Sequence, residues 1–231
     1  MPVSAARRLG RMFGEISKAI NAEKDRLTAL DGAIGDADHG ITMSLGFNAV
    51  TIELAGKDID ASSAADIVMT AATVFLNAVG ASTGPLYASG FLKIAQVLRQ
   101  DDTLSTACQV AIVAAMAAGI RERGKGERGD KTMLDTWMPA AEAAADGARC
   151  GLSGSDLWAR VIEAAERGAN ATGSMVAARG RAARLGERAL GHIDPGAASA
   201  VIILRAMAAT FANEQDAGEM PPTLGDDILH R

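Results

Sequence analysis

Aromatic residues make up only 3% of this 231-residue chain, although 48% of it is apolar and alanine is abundant. Strands favour aromatic and β-branched side chains, so the scarcity argues for helices packed closely through small residues. An all-α protein is the expectation. A clustered block of Lys and Arg is also missing and the formal charge is −5, which argues against a nucleic-acid-binding surface, because phosphate contacts need such clusters. The nearest approach is Arg179, Arg181, Arg184 and Arg188. The two cysteines, Cys108 and Cys150, have no neighbouring Cys or His, so neither a zinc site nor a CxxC redox motif is present. Both are expected to be buried and reduced. The N-terminal MPVSAARRLGRMFGEISKAI contains no uninterrupted apolar stretch, and no later segment reaches a membrane-spanning length free of charge. A cytoplasmic protein without membrane contact is expected. Without an internal repeat or a Pro/Ser-rich linker, residues 1–212 read as one helical domain. The tail, 213–231, is rich in Glu, Asp, Gly and Pro and reads as partly disordered.

What the chain does have is a recurring helical period. Leu9, Met12, Phe13, Ile16 and Ile20 share one helix face, and Ile67, Val68, Ala71, Val74, Phe75, Ala78 and Val79 share another before Gly80. Thr83-Gly84-Pro85 breaks the pattern, which resumes with Phe91, Leu92, Ile94, Ala95 and Leu98. Thr103 is a candidate cap for a helix carrying Leu104, Ala107, Cys108, Ala111, Ile112, Ala115 and Met116. Another helix is expected after Lys131, a further one after Ser155, and a last one from Asp194-Pro195 through Val201, Leu204, Ala208 and Phe211.

Between these helices lie four glycine-rich segments. The first, DGAIGDADHG from Asp31 to Gly40, concentrates three aspartates and a histidine in what reads as flexible backbone. Carboxylate oxygens suit Mg²⁺, which commonly fills its remaining positions with water and substrate phosphates. An EF-hand is excluded, since the twelfth position is Thr42 counted from Asp31 and Phe47 counted from Asp36, where a glutamate is required. The alternative is that Asp31, Asp36 and Asp38 are turn and cap residues. In VGASTGPLYASG, Ser82 and Thr83 offer hydroxyls and amides to phosphate oxygens, or simply form a tight turn. RGKGERGDKTM misses a P-loop, because Asp130 intrudes before Lys131-Thr132 and no strand precedes it. The fourth, RGRAARLGERALGHIDPG, brings Arg181 and Arg188 as candidate phosphate counter-ions, with His192 and Asp194 at the start of the last helix. His39 is open to roles as metal ligand, phosphate donor, phosphorylated nucleophile or hydrogen-bonded residue.

Taken together and in this order, IGDADHG, GASTGPLY, GDKTM and GRAARLGERALGHIDPGAAS closely resemble the nucleotide-binding L subunit of the dihydroxyacetone kinases, over about residues 5 to 212. The resemblance implies a barrel-like antiparallel bundle of about eight helices with the nucleotide held by loops at one end. It implies that Asp31, Asp36 and Asp38 hold two Mg²⁺ ions, and that His39, Gly40, Ile41, Thr42, Ser82, Thr83, Gly124, Met133, Arg181, Asp194, Pro195 and Gly196 contact ADP or ATP. Thr42 and the GAST sequence depart from relatives that carry asparagine and GGAS there, but this chain offers hydroxyls in both places. Arg181 is the candidate for extra charge stabilisation in phosphoryl transfer. The partner so implied is a separate K subunit that carries the ketose. The phosphate comes either from a phosphohistidine relay subunit that recharges bound ADP, the favoured route, or by exchange of ADP for ATP, with dihydroxyacetone or a ketose such as erythrulose as acceptor. A nucleotide-dependent regulatory subunit is the reading from another class, and a homodimer is left open.

Overall fold

The computed structural model describes residues 3–80 and 82–215, and among these there are nine α-helices and no strand. They are α1 (Ala5–Ala22), α2 (Lys24–Ile34), α3 (His39–Ala55), α4 (Ala64–Ala78), α5 (Thr83–Leu98), α6 (Thr106–Gly124), α7 (Leu134–Arg149), α8 (Gly154–Ala171) and α9 (Pro195–Gln215). Short 3-10 helices at Thr172–Ser174 and Ala182–Ala189 punctuate the connection from α8 to α9. Of the expected tail, 213–231, residues 213–215 belong to α9, and 216–231 lie outside the described residues.

The helices close into a ring. α1 packs on α3, α3 on α4, and so on through α8 to α9, which returns to α1, while α2 lies against α3 and α9. Short connections make most consecutive neighbours antiparallel, and the pairing of Ser17 and Asn21 with Asn48 and Ser44 shows the same for α1 and α3, as Trp158 with Phe211 and Glu166 with Arg205 do for α8 and α9. The barrel-like all-α architecture is therefore as expected. Pro195–Ala212 is long and apolar enough to cross a membrane by composition, with a mean hydropathy of 1.5, but 78% of it is buried against other helices. It forms part of the core.

All eight aromatic residues are buried. Phe47, Phe75, Tyr87 and Phe91 form one cluster with ring centroids 5.0–6.4 Å apart, and Phe13 meets Phe91 edge-on at 5.5 Å. Many further core contacts involve alanine and glycine, in keeping with the alanine content. A Cβ on Gly119 of α6 would lie 2.7 Å from the backbone of Gly90 on α5, so these two helices touch main chain to main chain.

Most of the expected stripes are buried, although Ala78, Leu92 and Ala107 turn outward. Three local expectations are corrected. Ser105, not Thr103, caps α6, accepting from the Cys108 amide at 3.3 Å. Thr103 works one step earlier, donating to Asp101 and accepting from the Ser105 amide, because Leu104 in the left-handed region (φ 54°) turns the chain between them. Likewise α8 starts at Gly154, after Ser153, not after Ser155. Finally, Cys108 is buried but Cys150 is exposed, since it follows the last turn of α7 and leaves the packed face.

Candidate functional site

In an antiparallel ring alternate connections emerge at the same end. Those after α2, α4, α6 and α8 share one end and carry the four glycine-rich segments, so motifs separated by pairs of helices converge there. They enclose a cleft of about 830 Å³ lined by residues from all four segments.

The aspartate segment is less flexible than its glycine content suggests. Asp31 to Ile34 complete the last turn of α2, and α3 begins at His39, leaving only Gly35 to Asp38 as a loop, with Ala37 at φ 62°. Asp31 is buried at this junction, its Oδ2 accepting from the amides of Asp38 (2.9 Å) and His39 (3.1 Å) at the start of α3. A helix N-terminus thus holds one carboxylate in place. One carboxylate oxygen from each of Asp31, Asp36 and Asp38 lies within 4.8 Å of the others. Burial and the neighbouring Asp36 raise the Asp38 carboxyl above its usual pKa, opposed by Arg181. The Arg181 guanidinium pairs with Asp36 and lies 3.4 Å from Asp38 Oδ2. This all-oxygen donor set, whose three carboxylates are only partly balanced by one cation, fits a hard divalent ion.

His39 is buried, and its Nε2 lies 3.0 Å from Ser199 Oγ on α9. Burial lowers its pKa to about 4, against the raising influence of Asp31, so the ring is neutral near pH 7. Thr42 lines the cleft, whereas Gly40, Ile41 and Asp36 are outside the lining. Gly40 instead faces α2, where a Cβ would lie 2.0 Å from the Lys24 carbonyl oxygen, and Ile41 is 48% exposed.

Ser82 and Thr83 line the cleft at the start of α5, which no side chain caps. The uncapped amides of that first turn make an anion-accepting edge. Gly124 ends α6 and Met133 precedes α7, and with Leu86, Ile120 and Leu134 they make an apolar wall. Asp194 accepts from the Ala197 amide at 2.7 Å, capping α9, and its own amide donates to Thr172 Oγ1 at 2.9 Å. Burial pushes its carboxyl up to about 7. Pro195 and Gly196 complete that side, and Arg184 joins Arg181 in the lining where Arg188 does not.

Sequence reasoning misses the residues that tie these loops together. Lys131 is buried, and its ammonium donates to the carbonyls of Thr172 (2.5 Å) and His192 (2.6 Å). Asp135 accepts from the amides of Gly129 and Thr132, and Asp130 accepts from Arg179 Nε at 2.8 Å. The only sequence signal is the string GDKT itself, which does not mark its lysine as buried.

Residues 33–209 match the DAK2 domain. The chain belongs to the DAK2 domain family. Within it, the chain is 37% identical over 191 residues to the PEP-dependent dihydroxyacetone kinase ADP-binding subunit DhaL of Escherichia coli K12, covering 81% of this chain and 89% of that one. It is 34% identical over 200 residues to the corresponding subunit of dihydroxyacetone kinase 1 of Listeria innocua, covering 87% and 94%. Human triokinase/FMN cyclase is 31% identical, but the match spans 88% of this chain and only 35% of that larger protein. Among solved structures, the dihydroxyacetone kinase of C. freundii in complex with AMP-PNP and Mg²⁺ superposes with a TM-score of 0.67 at 22% identity, covering 87% of this chain and 33% of that one. This DAK2 chain therefore has the fold of the helical portion of such kinases, and the expected resemblance to their L subunits is borne out.

Proposed function

We propose that this chain is the ADP-binding L subunit of a dihydroxyacetone kinase, passing phosphate from a bound Mg-nucleotide to dihydroxyacetone on a separate K subunit. The observation that carries the reading is the meeting of the aspartate cluster, which lines the cleft through Asp31 and Asp38, with an uncapped helix N-terminus and an apolar wall. Carboxylates suit the metal end, amides and hydroxyls suit phosphate oxygens, and apolar side chains suit a base. Bound there, Mg²⁺ would neutralise phosphate charge and align the transfer. Asp31, Asp36 and Asp38 would hold two such ions. Ser82 and Thr83 orient phosphate through the first turn of α5, and Met133 with Gly124 flanks the base. His39, neutral and bonded to Ser199, serves as a hydrogen-bonding wall. Thr42, Asp194, Pro195 and Gly196 close the remaining sides, Gly40 lets α3 approach α2, and Ile41 lies on the rim. Arg181 is assigned to stabilise charge on the group in flight.

The donor is proposed to be a phosphohistidine subunit of a phosphoenolpyruvate relay in the cytoplasm, with ADP retained as cofactor. The match to PEP-dependent subunits, 34–37% identical over 89–94% of their length, against 31% over 35% of the length of triokinase/FMN cyclase, favours that route over ATP exchange. The test is the nucleotide released on denaturing protein that has been desalted extensively in Mg²⁺ buffer. Near-stoichiometric ADP, and phosphate transfer only when K and relay subunits are added, is the expected result. Protein that emerges empty yet turns over Mg·ATP with a K subunit would refute the relay. Transfer to no K subunit at all would refute the kinase role.

A further inference from the structure

The aspartates are neutralised in two different ways. Asp31 is met by the amides of Asp38 and His39, whereas Asp36 and Asp38 share the single guanidinium of Arg181. All three carboxylates offer an oxygen within a 4.8 Å group, so a divalent ion held by them would stand where the Arg181 charge now stands. Two cations at that separation repel, and the carboxylate oxygens cannot serve both at full strength. The role assigned to Arg181 raises the same conflict. Both contacts are made by Arg181 Nη1, so the donors of that nitrogen are committed to carboxylates and not to a phosphoryl group.

We propose that Arg181 is a resident counter-ion of the aspartate cluster, which a divalent metal displaces, and that this displacement releases it toward the phosphate end of the cleft. The inference rests on the metal reading of the aspartates given above. The local backbone suits such a movement. Arg179, two residues earlier, is anchored to Asp130 Oδ2 at 2.8 Å and to the Gly124 carbonyl at 3.3 Å. Gly180 follows in the left-handed region at φ 70°, and the 3-10 turn Ala182–Ala189 is pinned from below by Ala182 and Ala189 packing on Ile34. The swing is therefore confined to the Arg181 side chain and its immediate backbone, and Arg181 already lines the cleft. The consequence is an order of events. Metal loading comes first and makes the phosphate-facing cation available, so a metal-free nucleotide meets a site whose arginine is still engaged elsewhere.

The experiment titrates nucleotide-free full-length protein with Mn²⁺ alone, followed by the paramagnetic signal of the free ion. Arg181→Ala should bind Mn²⁺ about fivefold tighter than wild type, the fold-change that two half-exposed ion pairs of ordinary strength represent. Arg181→Gln, which keeps a long polar side chain, should do the same and guards against a folding failure. Arg184→Ala removes a like charge from the same cleft and should change affinity by less than about twofold, as a screened charge without direct contact does. Hydrogen exchange at the amides of Gly180 to Ala182 should accelerate on metal addition in wild type and not in Arg181→Ala. Equal or weaker binding by both Arg181 variants, a matching gain in Arg184→Ala, or unchanged exchange in wild type would overturn the displacement. Absence of Mn²⁺ binding in every protein would overturn the metal reading itself, and the displacement with it.

Discussion

Gly40 falls among the nucleotide contacts that the family resemblance implies, but the structure gives it a packing role with a measurable consequence. A Cβ there would lie 2.0 Å from the Lys24 carbonyl oxygen, 2.5 Å from Thr28 Oγ1 and 2.9 Å from the Thr28 amide nitrogen. The first and last are main-chain atoms of α2, which no rotamer change can move. Reaching an ordinary contact of 3.4 Å requires α2 to retreat from α3 by about 1.4 Å, the difference between 3.4 and 2.0. Asp31 lies on the same helix and accepts from Asp38 and His39 at 2.9 and 3.1 Å, so such a retreat would stretch both bonds beyond useful length. Overpacking costs about 1–3 kcal/mol and the loss of charged hydrogen bonds about 1.5–3 kcal/mol more, giving roughly 3–5 kcal/mol for Gly40→Ala. In a chain of this size that corresponds to a melting temperature lower by about 10 °C. Circular dichroism melts would measure it, and Mn²⁺ titration of the folded variant at low temperature should show weakened binding. A Gly40→Ala protein that melts like wild type and binds Mn²⁺ equally well would refute the argument that α3 rests on α2 through this glycine.

Other substitutions probe the same framework. Gly14, in the interior of α1, has open space where a Cβ would stand, with nothing within 4 Å, so Gly14→Ala should raise stability by about 0.5–1 kcal/mol in urea denaturation. Lys131→Met leaves the carbonyls of Thr172 and His192 without their buried donor and should destabilise by about 2–4 kcal/mol, read in the same assay. The pH dependence has two opposing parts. His39, depressed to about 4, contributes stability above its unfolded pKa near 6.5 that is lost as pH falls toward 4. Asp194, raised to about 7, contributes stability at low pH that is lost as pH rises from about 4 through 7. Asp194→Asn removes the second part, so its stability should climb more steeply between pH 4.5 and 6.5 than that of wild type, by up to about 1.4 kcal/mol per unit for one proton. Parallel curves would refute the assigned environment of Asp194.

The helical class is legible because it rests on composition and period, and the four loops because glycine and charge punctuate the helices. What the sequence hides depends on contacts between distant residues. Gly32 and Gly40 read as flexibility around the aspartates, yet they lie within α2 and α3, and at Gly40, as at Gly46 further along α3, the missing side chain permits close packing. Nothing in the sequence marks Lys131 as buried, because the carbonyls that receive it stand 41 and 61 residues away. The placing of Arg181 between Asp36 and Asp38 spans more than 140 positions and follows only from closure of the ring. Cys150 reads as buried from its alanine-rich surroundings, but helix phase carries it past the packed face.

Three of the four loops are cross-linked. Lys131 and Asp130 join the α6–α7 loop to the segment before α9, Arg181 joins that segment to the aspartates, and His39 joins α3 to Ser199. The side chains of Ser82 and Thr83 take part in no such tie among the described residues, and α5 starts without a side-chain cap. This edge is the one whose hydroxyls and amides remain uncommitted, and a phosphate is the group they fit. Nucleotide binding should therefore slow hydrogen exchange most at the amides of residues 82–84, with a smaller change in the already tied loop at 129–133. If protection instead rose chiefly at 129–133 while 82–84 stayed unchanged, the start of α5 would not be the phosphate-holding edge.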